Sequence, residues 1–387
     1  MSFWLEPAKK TIDLAMGIRM AYADVGRPGA PVVLLLHGCA ATGRSFYPTL
    51  QALEESGADL HVFVLDLRGH GDSSMPRGPR DAAEPEACFG PAQLAADVFA
   101  FMNLLEISSA HVVGHSYGSL VAQELALARP DRVRSIVLMS ACARGVGNPH
   151  LDRSLVRQVE GQWKEALQRR QGFGWPEDAH RLSRRDPELA ATTAIRWPEG
   201  AYHLTAREAD PDAGAWIARN WAMETLASPR FVESVVAEGA ATRLGTWIGV
   251  LRNMARVDNR ERLRQLLVPV LVLWATQDRL FVQSDQADLR AALDTAVRTG
   301  NSRYVFKQYG KAPLPAPDLH ASDLGHHAHW VAARTFADDI AAWVNTGWPT
   351  RDLPCVDPAD PRRLVVEKDA AVLIENTPAG WRPATAS

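Results

Sequence analysis

A serine with a glycine two positions away on each side, in VVGHSYGSL (112–120), is the first candidate for chemistry. Gly114, Ser116 and Gly118 fit the pattern G-x-S-x-G, which alone is common by chance. Here it follows an apolar, β-branched run and precedes a helix-like run, LVAQELAL. A serine on a tight turn between a strand and a helix has a strained backbone, so the residues two positions away must be small. The pattern therefore predicts a serine nucleophile at the start of a helix.

A nucleophilic serine requires a general base and an acid that orients the base. Directly beyond the apolar run VLVLW, the segment ATQDRLF supplies Asp278 as a candidate acid. Further along the chain, DLGHHAHW offers three candidate bases: His326, His327 and His329. The residues alone leave the choice among these bases open.

Short apolar runs alternate with helical patterns along much of the chain. Runs of the kind that a strand buried on both faces requires occur in PVVLLLH (31–37), HVFVLD (61–66), AHVVGH (110–115), VRSIVLMS (133–140) and VPVLVLWAT (268–276). Amphipathic helical patterns lie between them, the strongest over residues 91–106. This alternation predicts an α/β protein with a mostly parallel, doubly wound sheet.

The alternation is lost between residues 144 and 262, where helical stretches lack intervening buried strands. We interpret this region as a helical cap inserted into one sheet domain, which comprises residues 1–143 and 263–348. The cap is rich in arginine and in tryptophan, with Trp163, Trp175, Trp197, Trp216, Trp221 and Trp247. Residues 349–387 form a C-terminal extension with one strand-like patch at 362–376.

Composition narrows the classes of partner. The 387 residues carry a net charge of −3 and no basic run, which argues against nucleic acid and against an anionic membrane surface. The four scattered cysteines contain no C-x-x-C pair and fit a reducing compartment. The N-terminus lacks a signal-peptide pattern, and no apolar run is long enough to span a membrane. We expect a cytoplasmic protein whose partner is a small molecule.

These stretches together resemble the α/β-hydrolase-fold family. Three further segments carry the resemblance: LLLHGCAATGRSF is similar to the family's oxyanion loop, VLDLRGHGDSS to its D-x-R-G-x-G-x-S loop, and RPDRVRSIVLMSA to the segment after the nucleophile helix. The match covers roughly residues 11–143 and 263–347. The cap and the C-terminal extension lie outside it.

The resemblance implies that Ser116 is the nucleophile and that serine, acid and histidine follow in that order along the chain. Asp278 is then the acid. His326 is the base, because Phe336 and Ile340 follow it at the spacing that the family shows after its catalytic histidine.

The resemblance also implies that the backbone amides of Cys39 and Tyr117 form an oxyanion hole. The stretch between acid and base is longer than the family's, through the proline-rich loop KAPLPAPDLHASD (311–323). This loop brings Asp318 and Asp323 near the histidines in sequence, so either aspartate is an alternative acid.

Two structural alternatives accompany these assignments. Ser116 could begin the helix simply as its N-cap, although that role needs no flanking glycines. The histidines near His320 and Asp323 could bind a metal ion, although a metal site explains neither the serine turn nor the oxyanion loop.

The expected reaction is two-step acyl transfer through an acyl-enzyme, with no cofactor and no metal. This chemistry predicts a carboxylic ester or lactone as the substrate. Because the cap is rich in tryptophan, we expect that substrate to be a medium or bulky hydrophobic molecule. A serine nucleophile argues against epoxide hydrolases and haloalkane dehalogenases, which place aspartate there. C–C bond hydrolases, acyltransferases and non-catalytic ligand receptors of this fold are the alternatives, and no oligomeric state is predicted.

Overall fold

The computed structural model describes residues 6–15, 17–170, 197–221, 224, 226–300, 302–311 and 324–378. The predictions for Trp175, Asp318, His320 and Asp323 lie outside the described residues. The strands are β1 Lys9–Asp13, β2 Arg19–Gly26, β3 Val32–Leu36, β4 His61–Asp66, β5 Ala110–His115, β6 Val133–Met139, β7 Val270–Ala275, β8 Tyr304–Tyr309, β9 Leu353–Asp357, β10 Asp360–Glu367 and β11 Leu373–Asn376.

The helices lie between these strands. They are α1 Tyr47–Glu55, α2 Pro79–Ala83, α3 Pro85–Cys88, α4 Pro91–Leu104, α5 Tyr117–Ala128, α6 Pro149–Asp152, α7 Lys164–Arg170, α8 Ala206–Ala209, α9 Ala213–Asn220, α10 Pro229–Ala241, α11 Leu244–Met254, α12 Arg260–Leu263, α13 Gln283–Arg298, α14 Ala328–Val331 and α15 Ala333–Thr346. A π-helical stretch, Arg153–Trp163, joins α6 to α7, and short 3₁₀ turns lie at Gly43–Phe46 and Glu199–Ala201. None of the helices in the described ranges combines the length and apolar character needed to cross a bilayer.

Nine strands form one sheet in the order β1-β2-β4-β3-β5-β6-β7-β8-β11. The five neighbouring pairs from β4–β3 to β7–β8 are parallel, whereas β1, β2 and β11 join their neighbours antiparallel. The predicted α/β class with a mostly parallel sheet is therefore confirmed.

Helices cover both faces of this sheet because side chains alternate along each strand. Leu34 and Val112 face one core with Val98 of α4, whereas Val33 and Val113 face the other. The second core also contains Leu50 and Leu53 of α1 and three side chains of α15, Phe336, Ile340 and Trp343. A doubly wound arrangement follows from continuous apolar strands that must be buried on both sides.

The chain leaves the sheet after β6 and returns to it before β7. The two ends of this excursion pair with each other, since the Gly145 N–H donates to the Val257 carbonyl (2.9 Å) and the Asn259 N–H donates to the Ala143 carbonyl (2.8 Å). The elements described between them are helical, apart from isolated bridges such as Thr205 with Arg243. We call residues 144–262 the cap, and its boundaries stay a prediction.

The C-terminal extension contributes to two sheets. Strands β9 and β10 pair with each other, and β11 adds to the edge of the main sheet antiparallel to β8. Its start is anchored in the core, where Lys307 Nζ donates to Asp339 Oδ1 (2.7 Å) and to the Thr350 carbonyl (2.9 Å). Burial lowers the pKa of Lys307 and raises the pKa of Asp339, and the contact between their two charges offsets that cost.

Lys307→Met would leave the Asp339 carboxyl buried without its cation. Because an uncompensated buried charge is costly, we expect the free energy of unfolding to fall by about 3–5 kcal/mol. The matched control is Lys368→Met, which breaks an exposed ion pair with Asp352 (2.5 Å) and should change stability little. Urea unfolding followed by tryptophan fluorescence measures both variants. Equal effects would contradict a stabilising role for the buried pair.

Candidate active site

Ser116 lies on a sharp turn between β5 and α5, with φ 53° and ψ −117°. This positive φ is strained for a residue with a side chain. The turn has no room for side chains at the flanking glycines: a Cβ at Gly114 would lie 2.2 Å from the Gly118 carbonyl oxygen. A Cβ at Gly118 would lie 2.1 Å from the carbonyl oxygen of Leu36. The side chain of Ser116 makes no N-cap hydrogen bond to α5, so the N-cap alternative is wrong.

His326 and Asp278 lie together as the sequence predicts. Nδ1 of His326 is 3.0 Å from each carboxylate oxygen of Asp278, which is fully buried. Asp278 Oδ1 also accepts the backbone N–H groups of Leu280 (2.9 Å) and Phe281 (3.0 Å). In the neutral tautomer whose Nδ1 proton this carboxylate accepts, Nε2 of His326 carries no proton.

The loop that carries His326 is attached to the serine turn. The His326 carbonyl accepts hydrogen bonds from Nε2 of His115 (2.9 Å) and from the Ser140 hydroxyl (2.8 Å). His115 directly precedes Ser116, and its ring centroid lies 5.0 Å from that of His326. The base is therefore held against the end of β5 by its own backbone as well as by Asp278.

The neighbouring histidines have other partners. His327 stacks on Trp330 with ring centroids 3.9 Å apart, and Nε2 of His329 lies 2.9 Å from the Ser45 hydroxyl. Burial lowers the pKa of His329 to about 3 and that of His327 well below its usual value, so both rings are neutral. Of the three histidines, only His326 contacts Asp278 within the described residues.

The metal alternative would have to use the remaining ring nitrogens, since one nitrogen each of His326 and His115 has another partner. His115, His326 and His327 each offer one ligand atom, and these atoms lie within 4.8 Å of one another. However, Nδ1 of His326 binds Asp278, and Nε2 of His115 binds the His326 carbonyl. Burial also lowers the pKa of His115 well below its usual value.

The loop after β3 passes beside the serine turn. A Cβ at Gly38 would lie 3.1 Å from Cβ of Ser116, and Ala40 has a positive φ of 52°. His37 holds this loop, since its Nε2 accepts the Leu67 N–H (2.9 Å) and its Nδ1 donates to the Gly38 carbonyl (2.8 Å). Burial lowers the pKa of His37 to about 4, which keeps the ring neutral in this role.

The backbone amides of Cys39 and Tyr117 directly follow Gly38 and Ser116 in the chain. Among the hydrogen bonds of the described residues, none uses the backbone N–H of either residue. The Cys39 thiol is buried, and burial raises its pKa, so it stays protonated. Both N–H groups are thus available to a ligand, while the thiol has no nucleophilic character.

The cap contacts the loop after β3 directly. Trp221 Nε1 donates to the Cys39 carbonyl (3.2 Å), and Glu238 of α10 accepts hydrogen bonds from Thr42 (2.7 Å) and Arg44 (2.6 Å). Four of the cap tryptophans form one cluster of rings, with centroids 5.2–6.4 Å apart: Trp163, Trp216, Trp221 and Trp247. Trp163 and Trp247 are fully buried in this cluster, whereas Trp221 is partly buried and reaches the loop after β3.

Glu224 is a polar residue of the site that sequence reasoning missed. It lies in the cap between α9 and α10, it is 8% exposed, and its Oε1 accepts the His327 N–H at 2.7 Å. No motif or spacing marks it in the sequence, because only the folded chain brings the cap against the histidine loop. It connects the cap to the loop that carries His326, as Trp221 connects the cap to the loop after β3.

Comparisons with known proteins indicate the same fold. Residues 31–172 match the family model for the alpha/beta hydrolase fold. Epoxide hydrolase A of Mycobacterium tuberculosis is 31% identical over 137 residues, which are 35% of this chain and 39% of that protein. The dihydrolipoyllysine-residue acetyltransferase component of the acetoin cleaving system of Cupriavidus necator is 40% identical over 129 residues, 33% of this chain and 31% of that protein. Each match spans less than half of the relative's own length.

The fold is also that of the enol-lactonase from Burkholderia xenovorans LB400, with a TM-score of 0.55 at 20% identity, covering 87% of this chain and 99% of that one. The chain therefore has the α/β-hydrolase fold, as the resemblance implied.

Gly118→Ala tests the packing of the serine turn. Its Cβ would meet the carbonyl oxygen of Leu36, which is backbone and cannot rotate away, so we expect the free energy of unfolding to fall by about 1–3 kcal/mol. The control is Gly214→Ala in α9, whose Cβ would meet nothing nearer than Val236 at 3.8 Å. This substitution should be neutral or stabilising, because alanine favours a helix. Urea unfolding compares the two, and a harmless Gly118→Ala would contradict the close contact.

Proposed function

We propose that Ser116, His326 and Asp278 form a catalytic triad that hydrolyses a carboxylic ester or lactone. The observation that carries the proposal is the attachment of a buried His326–Asp278 pair to the strained serine turn through His115. A structural serine needs neither that backbone strain nor a histidine–carboxylate pair beside it.

The chemistry runs in two steps. His326 Nε2 takes the proton of the Ser116 hydroxyl as its oxygen attacks the substrate carbonyl carbon. The tetrahedral intermediate collapses, and His326 returns the proton to the departing alkoxide, which leaves as an alcohol. His326 then removes a proton from water, and the resulting attack on the acyl-enzyme releases the acid and restores Ser116. Asp278 stabilises the imidazolium that forms in each step.

The negative charge that develops on the substrate's carbonyl oxygen must be stabilised by hydrogen-bond donors. The amides of Cys39 and Tyr117 are supported in this role because they flank the turn and donate to no other group within the described residues. Donors already fixed in place stabilise a developing charge without reorganisation, and one such bond is commonly worth about 10²–10³ in kcat.

The nucleophile distinguishes this proposal from the activity named for epoxide hydrolase A. A carboxylate that opens an epoxide forms an ester, which water can hydrolyse. A serine oxygen that attacked the same carbon would form an ether, and the triad has no means to cleave one. Ser116 therefore favours substrates with an acyl carbon.

A hydrophobic substrate fits the apolar groups nearest the site. Trp221, which is partly buried, contacts the Cys39 carbonyl beside the serine turn. Aromatic side chains supply large apolar contact areas to a ligand. We infer a small-molecule ester or lactone with a medium or bulky apolar portion.

Transfer of the acyl group to an acceptor other than water is the second candidate. It is favoured by the 40% identity to an acetyltransferase component over 129 residues. The two reactions share the acyl-enzyme and differ in the second nucleophile. Turnover of an ester with and without an added alcohol distinguishes them, because a transferase forms the new ester in preference to the free acid.

Reaction with a fluorophosphonate probe tests the nucleophile. We expect intact mass and peptide mapping to show one adduct at Ser116, no adduct in Ser116→Ala, and labelling at least about 10²-fold slower in His326→Ala. Ser284→Ala, which removes an exposed serine in α13, is the control and should label like the wild type. A folded wild type that does not react would favour a non-catalytic receptor.

Substitution of the three candidate acids tests the third member of the triad. Asp278→Asn should lower kcat on an ester by about 10³-fold or more, because the amide favours the wrong tautomer of His326. Asp318→Asn and Asp323→Asn are matched controls that should leave kcat unchanged. Circular dichroism checks that each variant folds. Loss of activity in either control, with Asp278→Asn still active, would reassign the acid.

A further inference from the structure

Glu224 connects the cap to the peptide groups on both sides of His326. Its Oε1 accepts the N–H of His327 (2.7 Å), and the Gly325 backbone lies directly beside the same carboxylate. A Cβ at position 325 would lie 2.8 Å from Oε1, so the bare glycine lets the carboxylate approach the loop. The side chain that approaches from the cap therefore fixes the backbone of the base, whereas Asp278 fixes its ring.

The Glu224 side chain is buried, and charged or titratable side chains lie near it. Burial raises the pKa of this carboxyl to about 7, against the backbone N–H groups of His327 and Gly325, which lower it. The titratable side chains that act on it are His326, whose positive form favours the carboxylate, and Asp278, whose charge opposes it. The group thus changes charge in the range where a histidine base also does.

We propose that Glu224 is a positioning residue for His326: it holds the peptide groups beside the base and, when ionised, stabilises the imidazolium formed during acyl transfer. The inference rests on the proposed function of the triad. Asp278 places its negative charge on one side of the ring, and Glu224 adds a second charge from the cap. Because the imidazolium exists only after the proton leaves Ser116, this charge acts on the reaction step more than on substrate binding.

Although the charge of Glu224 would assist the reaction, burying that charge lowers the stability of the folded protein. The folded-state pKa of Glu224 lies above the ordinary value of 4.5, so the folded protein loses stability as pH rises from about 4.5 through 7. Glutamine keeps a carbonyl oxygen for the His327 N–H and has no charge to bury. Glu224→Gln should therefore be at least as stable as the wild type at pH 8, and any loss of activity is then separate from loss of fold.

The experiment measures fluorophosphonate labelling of Ser116 between about pH 5.5 and 8.5 in the wild type, Glu224→Gln and Glu224→Asp. At the low end Glu224 is protonated, so the wild type and the glutamine variant should react at equal rates. At the high end the maximal labelling rate of Glu224→Gln should be lower by about tenfold, with unchanged half-saturation by the probe. Glu224→Asp keeps the charge and should recover part of the rate with the wild-type dependence on pH.

Two results would overturn the inference. One is a ratio of wild-type to Glu224→Gln rates that stays constant with pH, which would leave a hydrogen-bonding role only. The other is a glutamine variant that is less stable than the wild type at pH 8 and slower in proportion. NMR titration of the His326 ring gives a readout that needs no turnover: its midpoint should fall in Glu224→Gln. If the wild type does not label, the proposed function fails, and an unchanged NMR midpoint would overturn the role of Glu224 separately.

Discussion

The first turn of α5 packs against the end of β3 so closely that Gly118 has only backbone as its neighbour, and a Cβ there would lie 2.1 Å from the Leu36 carbonyl oxygen. This contact requires the chain to reverse within one residue after β5, and Ser116 takes the positive φ that results. It also brings Gly38 against Ser116, so the loop after β3 and the serine turn lie side by side. The strain at Ser116 is thus a consequence of packing between glycines, and the whole site depends on it.

Several buried histidines around this turn are neutral and hold the surrounding loops through hydrogen bonds. His37, His115 and His329 are neutral because a charge would be desolvated, and a neutral ring has one donor and one acceptor to bind backbone or hydroxyl groups. His37 bridges two loops in this way, and His115 carries the serine turn to the carbonyl of His326. His326 differs from them because the partner of its ring is the carboxylate of Asp278.

The structural features that depend on residues close together in the chain were predictable from the sequence. The strands from β3 to β8, the turn at Ser116 and the helix face of Phe336, Ile340 and Trp343 each depend on residues close together in the chain, and all are present. The pairing of β11 with β8 and the Lys307–Asp339 contact depend on residues far apart, which no period or motif records. Glu224 is the clearest case, since an isolated glutamate in a cap gains its role only from the loop that packs on it.

The cap therefore contacts both chemical halves of the site. Trp221 binds the carbonyl of Cys39 and Glu238 binds the residues after it, while Glu224 binds the loop of the base. A substrate that changed the position of the cap would shift the carbonyl of Cys39 and the peptide groups beside His326 together. If Ser116, His326 and the two amides act as proposed, a substrate that displaced the cap would move the donors and the base together, and small displacements of either are costly to catalysis.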